Sequence, residues 1–150
     1  MSGLRTTAWA LIAAAPLAQA QPGCLNPEQL QHIRDDLETS LTYLKASKDN
    51  FGPGRRKAIE ATRQAIAEFD KLQGGHPIAP ASSTEVAQYI GEHGHPRMAL
   101  AGDLMNGVQK SLSRPECAGA QELAALRARV GETVQDIDQA FQFNPRGSRR

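Results

Sequence analysis

The residues best suited to metal chemistry are histidines in two turns rich in glycine and proline. His93 and His95 are separated by one residue and preceded by Glu92, and His76 lies in an earlier turn of the same kind. Zinc or copper is bound by three or four nitrogen, oxygen or sulfur ligands at about 2 Å. The spacing brings two ligands together and leaves the third open, so His93, His95 and His76 are a candidate zinc or copper site. The alternative is a set of solvated turn residues, because short ligand pairs are common by chance.

A run of three cations, Arg55-Arg56-Lys57, opens the second predicted helix. Free N–H groups at a helix N-terminus, together with cations, can hold a phosphate or a carboxylate. The same cations oppose the positive end of the helix dipole, and Asp49 and Glu60 are near enough in sequence to pair with them. The run is therefore a candidate anion site, with a solvated helix end and weak exposed ion pairs as the alternative.

Two further combinations of residues have the types needed to hold a cofactor. His32 has Glu28 and Asp36 four residues away on either side, but the Glu-x-x-His spacing of di-iron bundles is absent, so a solvated helix face is expected. Met98 and Met105 can supply an axial haem ligand, although methionine in a helix usually fills the core. Covalent c-type haem attachment is excluded because the chain has no Cys-x-x-Cys-His.

Patterns typical of enzymes are missing from the sequence. The chain has no Gly-x-Ser-x-Gly, no phosphate-binding loop and no His-Glu-x-x-His. Adjacent carboxylates such as Asp35 and Asp36 indicate a helix surface rather than an acid–base pair. We therefore expect a protein that is not an enzyme and that carries no resident cofactor.

The N-terminal residues predict the compartment. Residues 1–20 combine a positive start at Arg5, a short apolar stretch and the sequence Ala18-Gln19-Ala20, after which signal peptidase cuts. The apolar stretch is shorter than the roughly 20 residues that span a bilayer. We expect a mature chain that begins near Gln21, lies in the periplasm or outside the cell, and has no transmembrane segment.

The charge balance limits the partners of this mature chain. The whole chain has 17 Lys and Arg residues against 16 Asp and Glu residues, so loss of Arg5 leaves equal numbers of each. A neutral chain is unlike a general nucleic-acid binder. An unknown protein partner in the cell envelope is the partner that we expect instead.

Cys24 and Cys117 are the two cysteines of the mature chain. In an exported protein two cysteines predict one disulfide. It would close a loop of roughly 90 residues, for which the chain-entropy model gives about 4–5 kcal/mol. The alternative, a lipidated Cys24, lacks the leucine that a lipoprotein signal has three residues before its cysteine.

Apolar residues recur at steps of three and four throughout the mature chain, and no stretch alternates as a half-buried strand does. This pattern predicts an all-α antiparallel bundle of four long helices plus one short helix, with one disulfide. The expected helices cover residues 27–47, 55–72, 83–90 (the short one), 96–113 and 115–143, and Gly52-Pro53-Gly54 is expected to break the chain. The first and last helices share the same rhythm, so we expect them to pack together. The domain then covers residues 21–143, followed by a disordered basic tail over residues 144–150.

The segment from Leu37 to Leu72 contains a turn flanked by two predicted helices. Its Asp49, Gly52, Arg55, Lys57 and Ala58 match the pattern Asp-x-Gly-Gly-His-Arg-x-Lys-Ala, whereas Pro53 and Gly54 stand where that pattern has Gly and His. In this respect the segment resembles a helical hairpin of small exported bacterial proteins of uncharacterised activity. The resemblance implies a helical bundle and no particular chemistry.

The sequence as a whole favours a non-enzymatic binding or structural module of the cell envelope, which contacts its partner helix against helix. Two alternatives stay open. One is a periplasmic metal-binding protein that uses the loop histidines, and the other is a bundle that binds haem without a covalent link.

Overall fold

The computed structural model describes residues 23–47, 51–74 and 97–143. Within these ranges the fold consists of four α-helices and two short 3-10 turns, with no strand. The helices are α1 (Pro27–Ala46), α2 (Gly52–Leu72), α3 (Arg97–Leu112) and α4 (Ala124–Phe143), and the 3-10 turns are Pro115–Cys117 and Gln121–Leu123. The predicted all-α bundle is confirmed, although the predicted count of helices is not exact. None of the described helices is long and apolar enough to cross a membrane.

The start of α1 follows directly from its local sequence. The side chain of Asn26 accepts a hydrogen bond from the backbone N of Gln29 at 2.8 Å, and the side chain of Gln29 accepts one from the backbone N of Asn26 at 2.9 Å. This reciprocal pair is a capping box, and Pro27 occupies the first helical turn. The prediction of a helix start at Asn26-Pro27 is therefore confirmed.

α2 begins three residues earlier than predicted, since Gly52-Pro53-Gly54 lies within its first turn. Proline is well suited to the first turn of a helix, where its missing N–H has no intrahelical partner to lose. Gly52 has a φ of 58°, a left-handed conformation that a glycine adopts without strain. The expectation of a chain break at these residues was wrong, because the same residues open the helix.

The last helix begins at Ala124, not at Pro115, because the two 3-10 turns occupy the residues before it. Arg127 of α4 donates hydrogen bonds to the backbone carbonyls of Leu112, Cys117 and Ala120. This guanidinium therefore holds the connection between α3 and α4 in its non-α path. The predicted short helix over residues 83–90 and the predicted tail over residues 144–150 lie outside the described residues.

Contacts between the helices define the topology of the bundle. Ser40 on α1 donates to the carbonyl of Ala101 on α3 at 3.1 Å, and Arg34 on α1 pairs with Asp70 on α2. α4 packs against α2 and α3. Each of these neighbouring pairs is antiparallel, so α1 and α4 lie diagonally across the bundle, as do α2 and α3.

The predicted packing of the first helix on the last was therefore wrong. The closest partner of α4 is α2, because Gly54 allows the α2 backbone to approach Ala140. α2 ends beside the beginning of α1, whereas α3 begins at the opposite end.

Candidate binding groove

The predicted metal ligands His76, His93 and His95 lie outside the described residues, as does Glu92. Among the residues that the structure describes, no group of three or more His, Cys, Asp or Glu side chains is placed to hold a metal ion. His32 is exposed on α1 and does not form such a group with its neighbours. No described feature favours the metal-binding alternative.

The structure divides the predicted anion site at the start of α2. Arg55 donates from Nε to the carbonyl of Leu44 at 2.8 Å and from Nη2 to the carbonyl of Lys45 at 2.7 Å. These carbonyls lie at the C-terminus of α1, where they lack intrahelical donors. Arg55 is thus engaged in capping α1, and only Arg56 and Lys57 remain exposed. The three cations do not form one binding surface.

The other residues singled out in the sequence have structural positions. Met98 and Met105 are fully buried in the hydrophobic core, which is the ordinary position for a helical methionine. Cys24 and Cys117 lie at disulfide distance, with their Cα atoms 5.2 Å apart. The predicted cysteine pairing is therefore seen in the fold, and it joins the segment before α1 to the first 3-10 turn.

Two separate cavities lie where α1 meets α3 and the residues that follow it. We refer to the surface along this helix contact as the seam groove, and we name the two cavities its apolar end and its basic end. The apolar end has a volume of about 300 Å³ and is lined by Thr39, Tyr43, Leu100, Asp103 and Leu104. The basic end has a volume of about 440 Å³ and is lined by Gln29, His32, Lys110, Ser111 and Arg114.

The spacing of the lining residues shows that both cavities belong to one seam. On α1 successive lining residues are three, seven and four positions apart, and on α3 Lys110 and Ser111 follow Asp103 and Leu104 by seven positions, spacings that return to the same helix face. Since α1 and α3 are antiparallel, the two faces meet along their whole length. Gly107 lies on this face between the two ends, and a Cβ atom there would have no other atom within 4 Å. Position 107, between the two cavities, therefore has room for a side chain.

Charge is distributed unevenly along the seam groove. The basic end carries Lys110, Arg114 and the titratable His32, and no carboxylate lines it. Within the described part of the chain, neither Lys110 nor Arg114 has a hydrogen bond or ion pair from its side chain. The apolar end carries one acid, Asp103. The two ends of the groove therefore differ in charge, so an elongated ligand with one acidic end is expected to bind in one orientation.

Two acids on the surface of the bundle have raised pKa values. Burial raises the pKa of Asp36. The positive charge of His32 opposes this rise, and the negative charge of neighbouring Asp35 reinforces it. Burial also raises the pKa of Asp136 on α4, where Lys57 opposes the rise. By its spacing Asp36 lies on the α1 side of the seam between the two ends. Asp36, which lies between the two ends, therefore has a weakened tendency to ionise.

Sequence reasoning missed Lys110 and Arg114 as a functional pair. Lys110 lies in the last turn of α3, whereas Arg114 follows two residues after its end, so their nearness in sequence was the only signal. What the sequence does not show is which helix these two residues meet. The rhythm of apolar residues pointed to a pairing of α1 with the last helix, and only the observed pairing of α1 with α3 brings His32 beside these cations.

Comparison with known proteins finds no family model, no curated protein and no solved structure that matches this chain.

Proposed function

We propose that this protein is a non-enzymatic binding module of the cell envelope that holds a helical segment of a partner protein in the seam groove. The observation that supports the proposal is a pair of cavities along the contact of α1 with α3, one lined by apolar side chains and the other by cations that have no partner among the described residues. Two antiparallel helices form a natural cradle for a third, since side chains of the added helix pack between the ridges of the pair.

The lining residues specify the chemistry of the partner segment. Tyr43, Leu100 and Leu104 favour apolar side chains at one end of that segment. Lys110 and Arg114 favour acidic side chains at the other end. Tyr43 and His32 are separated by eleven residues of α1, which corresponds to about 16 Å at the usual rise of a helix. The partner therefore needs its acidic and apolar groups about three helical turns apart.

The expected strength of this contact is moderate. A single helix in a groove of this length buries less surface than the roughly 1,600 Å² of a standard interface, so a transient complex is expected. Charge complementarity at the basic end mainly sets the orientation and the rate of association. The assignment to the envelope rests on the export signal predicted in residues 1–20. The assignment as a non-enzyme rests on the lack of catalytic patterns in the sequence.

Photocrosslinking tests the proposal in the cell that produces the protein. Gly107 is replaced by the photoreactive residue p-benzoylphenylalanine in the full chain, because this position has open space for a side chain. The matched control carries the same residue at Gln135, an exposed position of α4. After irradiation, mass spectrometry identifies the crosslinked segment, and a synthetic peptide of that segment is titrated against the purified protein.

The proposal is supported if the Gly107 position, and not the Gln135 position, crosslinks to an amphipathic segment with acidic residues at one end. Binding of the synthetic peptide should then weaken about tenfold or more when Lys110 and Arg114 are both changed to Gln, as expected for lost charge-assisted hydrogen bonds. The proposal fails if both positions give the same adducts. It also fails if the Gly107 position crosslinks within its own chain, to residues 75–96.

A further inference from the structure

We infer that the basic end of the seam groove is an oxyanion site, which binds a group with two negative charges such as a phosphate or a pair of neighbouring carboxylates. The inference deepens the proposed function, because it names the group that the partner presents at this end. It can nevertheless be tested without the partner.

The first argument is the contrast between Arg114 and the other arginines of the bundle. Six arginine side chains bind carboxylates or backbone carbonyls within the described residues, namely Arg34, Arg55, Arg63, Arg97, Arg127 and Arg129. Arg56 and Arg114 have no such partner among the residues described, and both are exposed. What distinguishes Arg114 is that it lines a cavity together with a second unpaired and exposed cation, Lys110.

The second argument concerns the C-terminus of α3, next to which these two cations lie. Cations near a helix C-terminus usually offset the negative end of its dipole, which would give Lys110 and Arg114 a purely structural role. Here Arg127 of α4 already binds the carbonyl of Leu112 at 3.0 Å. The last turn of α3 is therefore capped by a residue from another helix, and the two cations remain available to a ligand.

The third argument is the composition of the cavity itself. The guanidinium of Arg114 can bind two oxygens of one oxyanion side by side, whereas Lys110 acts as a compact point charge. The hydroxyl of Ser111 and the imidazole of His32 add further donors on the two sides of the groove. The cavity volume of about 440 Å³ accommodates a phosphate together with part of the molecule that carries it.

A nuclear magnetic resonance titration of the disulfide-bonded chain tests the inference. The probes are inorganic phosphate and glutarate, each added at constant ionic strength against chloride. We expect saturable shifts of the backbone amide signals of Gln29, His32, Lys110, Ser111 and Arg114. Saturation by phosphate alone identifies a phosphate group as the ligand chemistry, and saturation by glutarate alone identifies paired carboxylates. Saturation by both identifies a general oxyanion site.

Matched double variants separate a defined site from general attraction between charges. Changing Lys110 and Arg114 to Gln should weaken binding by about tenfold or more. Changing Arg56 and Lys57 to Gln removes the same charge from an exposed position and should alter binding by less than about twofold. The inference is overturned if neither probe saturates, or if both variants weaken binding equally. If the first variant does not fold, the single change Lys110→Gln gives the same comparison.

The two proposals fail separately. Saturable binding of a probe without a crosslinked partner retains the oxyanion site and rejects the docked helix. A crosslinked partner segment without binding of either probe retains the docked helix and rejects the oxyanion site.

Discussion

At the scale of single residues, Arg34 is a charged group buried within the bundle. Its side chain is 8% exposed and binds Glu38 on α1 and Asp70 on α2. A buried charge is tolerated only where it is paired, and here both partners are themselves partly exposed, with values of 31% and 38%. The ion pair with Asp70 therefore links α1 to α2 at the edge of the core, where solvent still reaches both carboxylates.

Replacing Arg34 by Ala should lower the free energy of unfolding by about 1–3 kcal/mol, through loss of the ion pairs and of the packing of its aliphatic stem. Arg63 on α2 is the matched control, because it also pairs with a carboxylate but is 56% exposed. Its replacement by Ala should change stability by less than about 0.5 kcal/mol. Denaturant unfolding of the two variants measures the difference, and equal effects would contradict a special role for Arg34.

The sequence predicted the residue types of these sites better than their partners. Arg55 was expected to bind an anion but binds the carbonyls of Leu44 and Lys45. Its partner belongs to a helix C-terminus brought to it by the fold, and local spacing carries no information on that neighbour. The cysteines were paired correctly because the sequence contains only two, which leaves a single combination.

At the scale of helices, the packing of α2 on α4 depends on a small residue. A Cβ atom on Gly54 would lie 2.8 Å from the backbone N of Ala140 and 2.9 Å from its Cα. Backbone atoms cannot move aside as the end of a flexible side chain does. The two helices therefore approach closely only while residue 54 has no side chain.

Changing Gly54 to Ala should destabilise the protein by about 1–3 kcal/mol, because the added methyl group forces the helices apart. This effect outweighs the gain in helix propensity, which is at most about 1 kcal/mol. Gly107→Ala is the control, since open space surrounds that position and only the gain in propensity remains. Thermal unfolding should shift in opposite directions for the two variants. A stabilising Gly54→Ala would show that α2 and α4 do not require close contact.

The helix boundaries show where local sequence is sufficient and where it is not. The beginning of α1 was predicted correctly because its capping box lies within four residues. The beginning of α4 was missed because the preceding residues are held by Arg127 and by the link to Cys24. Apolar periodicity continues through such a segment even when the backbone does not form an α-helix, so the pattern alone predicted one long helix.

At the scale of the whole molecule, the link between Cys24 and Cys117 spans 93 residues of sequence. It joins the start of α1 to the segment that follows α3, and these ends already lie together in the antiparallel pair. A constraint on so long a loop removes much of the freedom of the unfolded chain. We therefore expect the link to stabilise the fold without altering the helix arrangement.

Reduction of the disulfide should lower the stability of the bundle by up to about 4–5 kcal/mol, the value that the chain-entropy model gives for this loop. Thermal unfolding with and without a thiol reductant measures the change. A variant with both cysteines replaced by Ser should have the melting temperature of the reduced protein, whether or not the reductant is present. An unchanged melting temperature on reduction would contradict the pairing of Cys24 with Cys117.

The candidate groove could not be predicted because it depends on which helices are neighbours. Each helix face was readable from the sequence, and the polarity of Lys110 and Arg114 was visible. The order of helices around the bundle is decided by close contacts such as Gly54 with Ala140, which involve residues far apart in sequence. Small residues carry no hydrophobic pattern that identifies their partners.

Arg127 binds three backbone carbonyls, and these contacts affect how accessible each cysteine is after the disulfide is reduced. One of these carbonyls belongs to Cys117, whose side chain is fully buried while the bridge is closed, and because Arg127 binds this carbonyl independently of the bridge we expect the sulfur to stay within its turn. Cys24 lies in the short lead-in before α1 and is already partly exposed. A reduced molecule would thus offer the surrounding solution one reactive thiol rather than two.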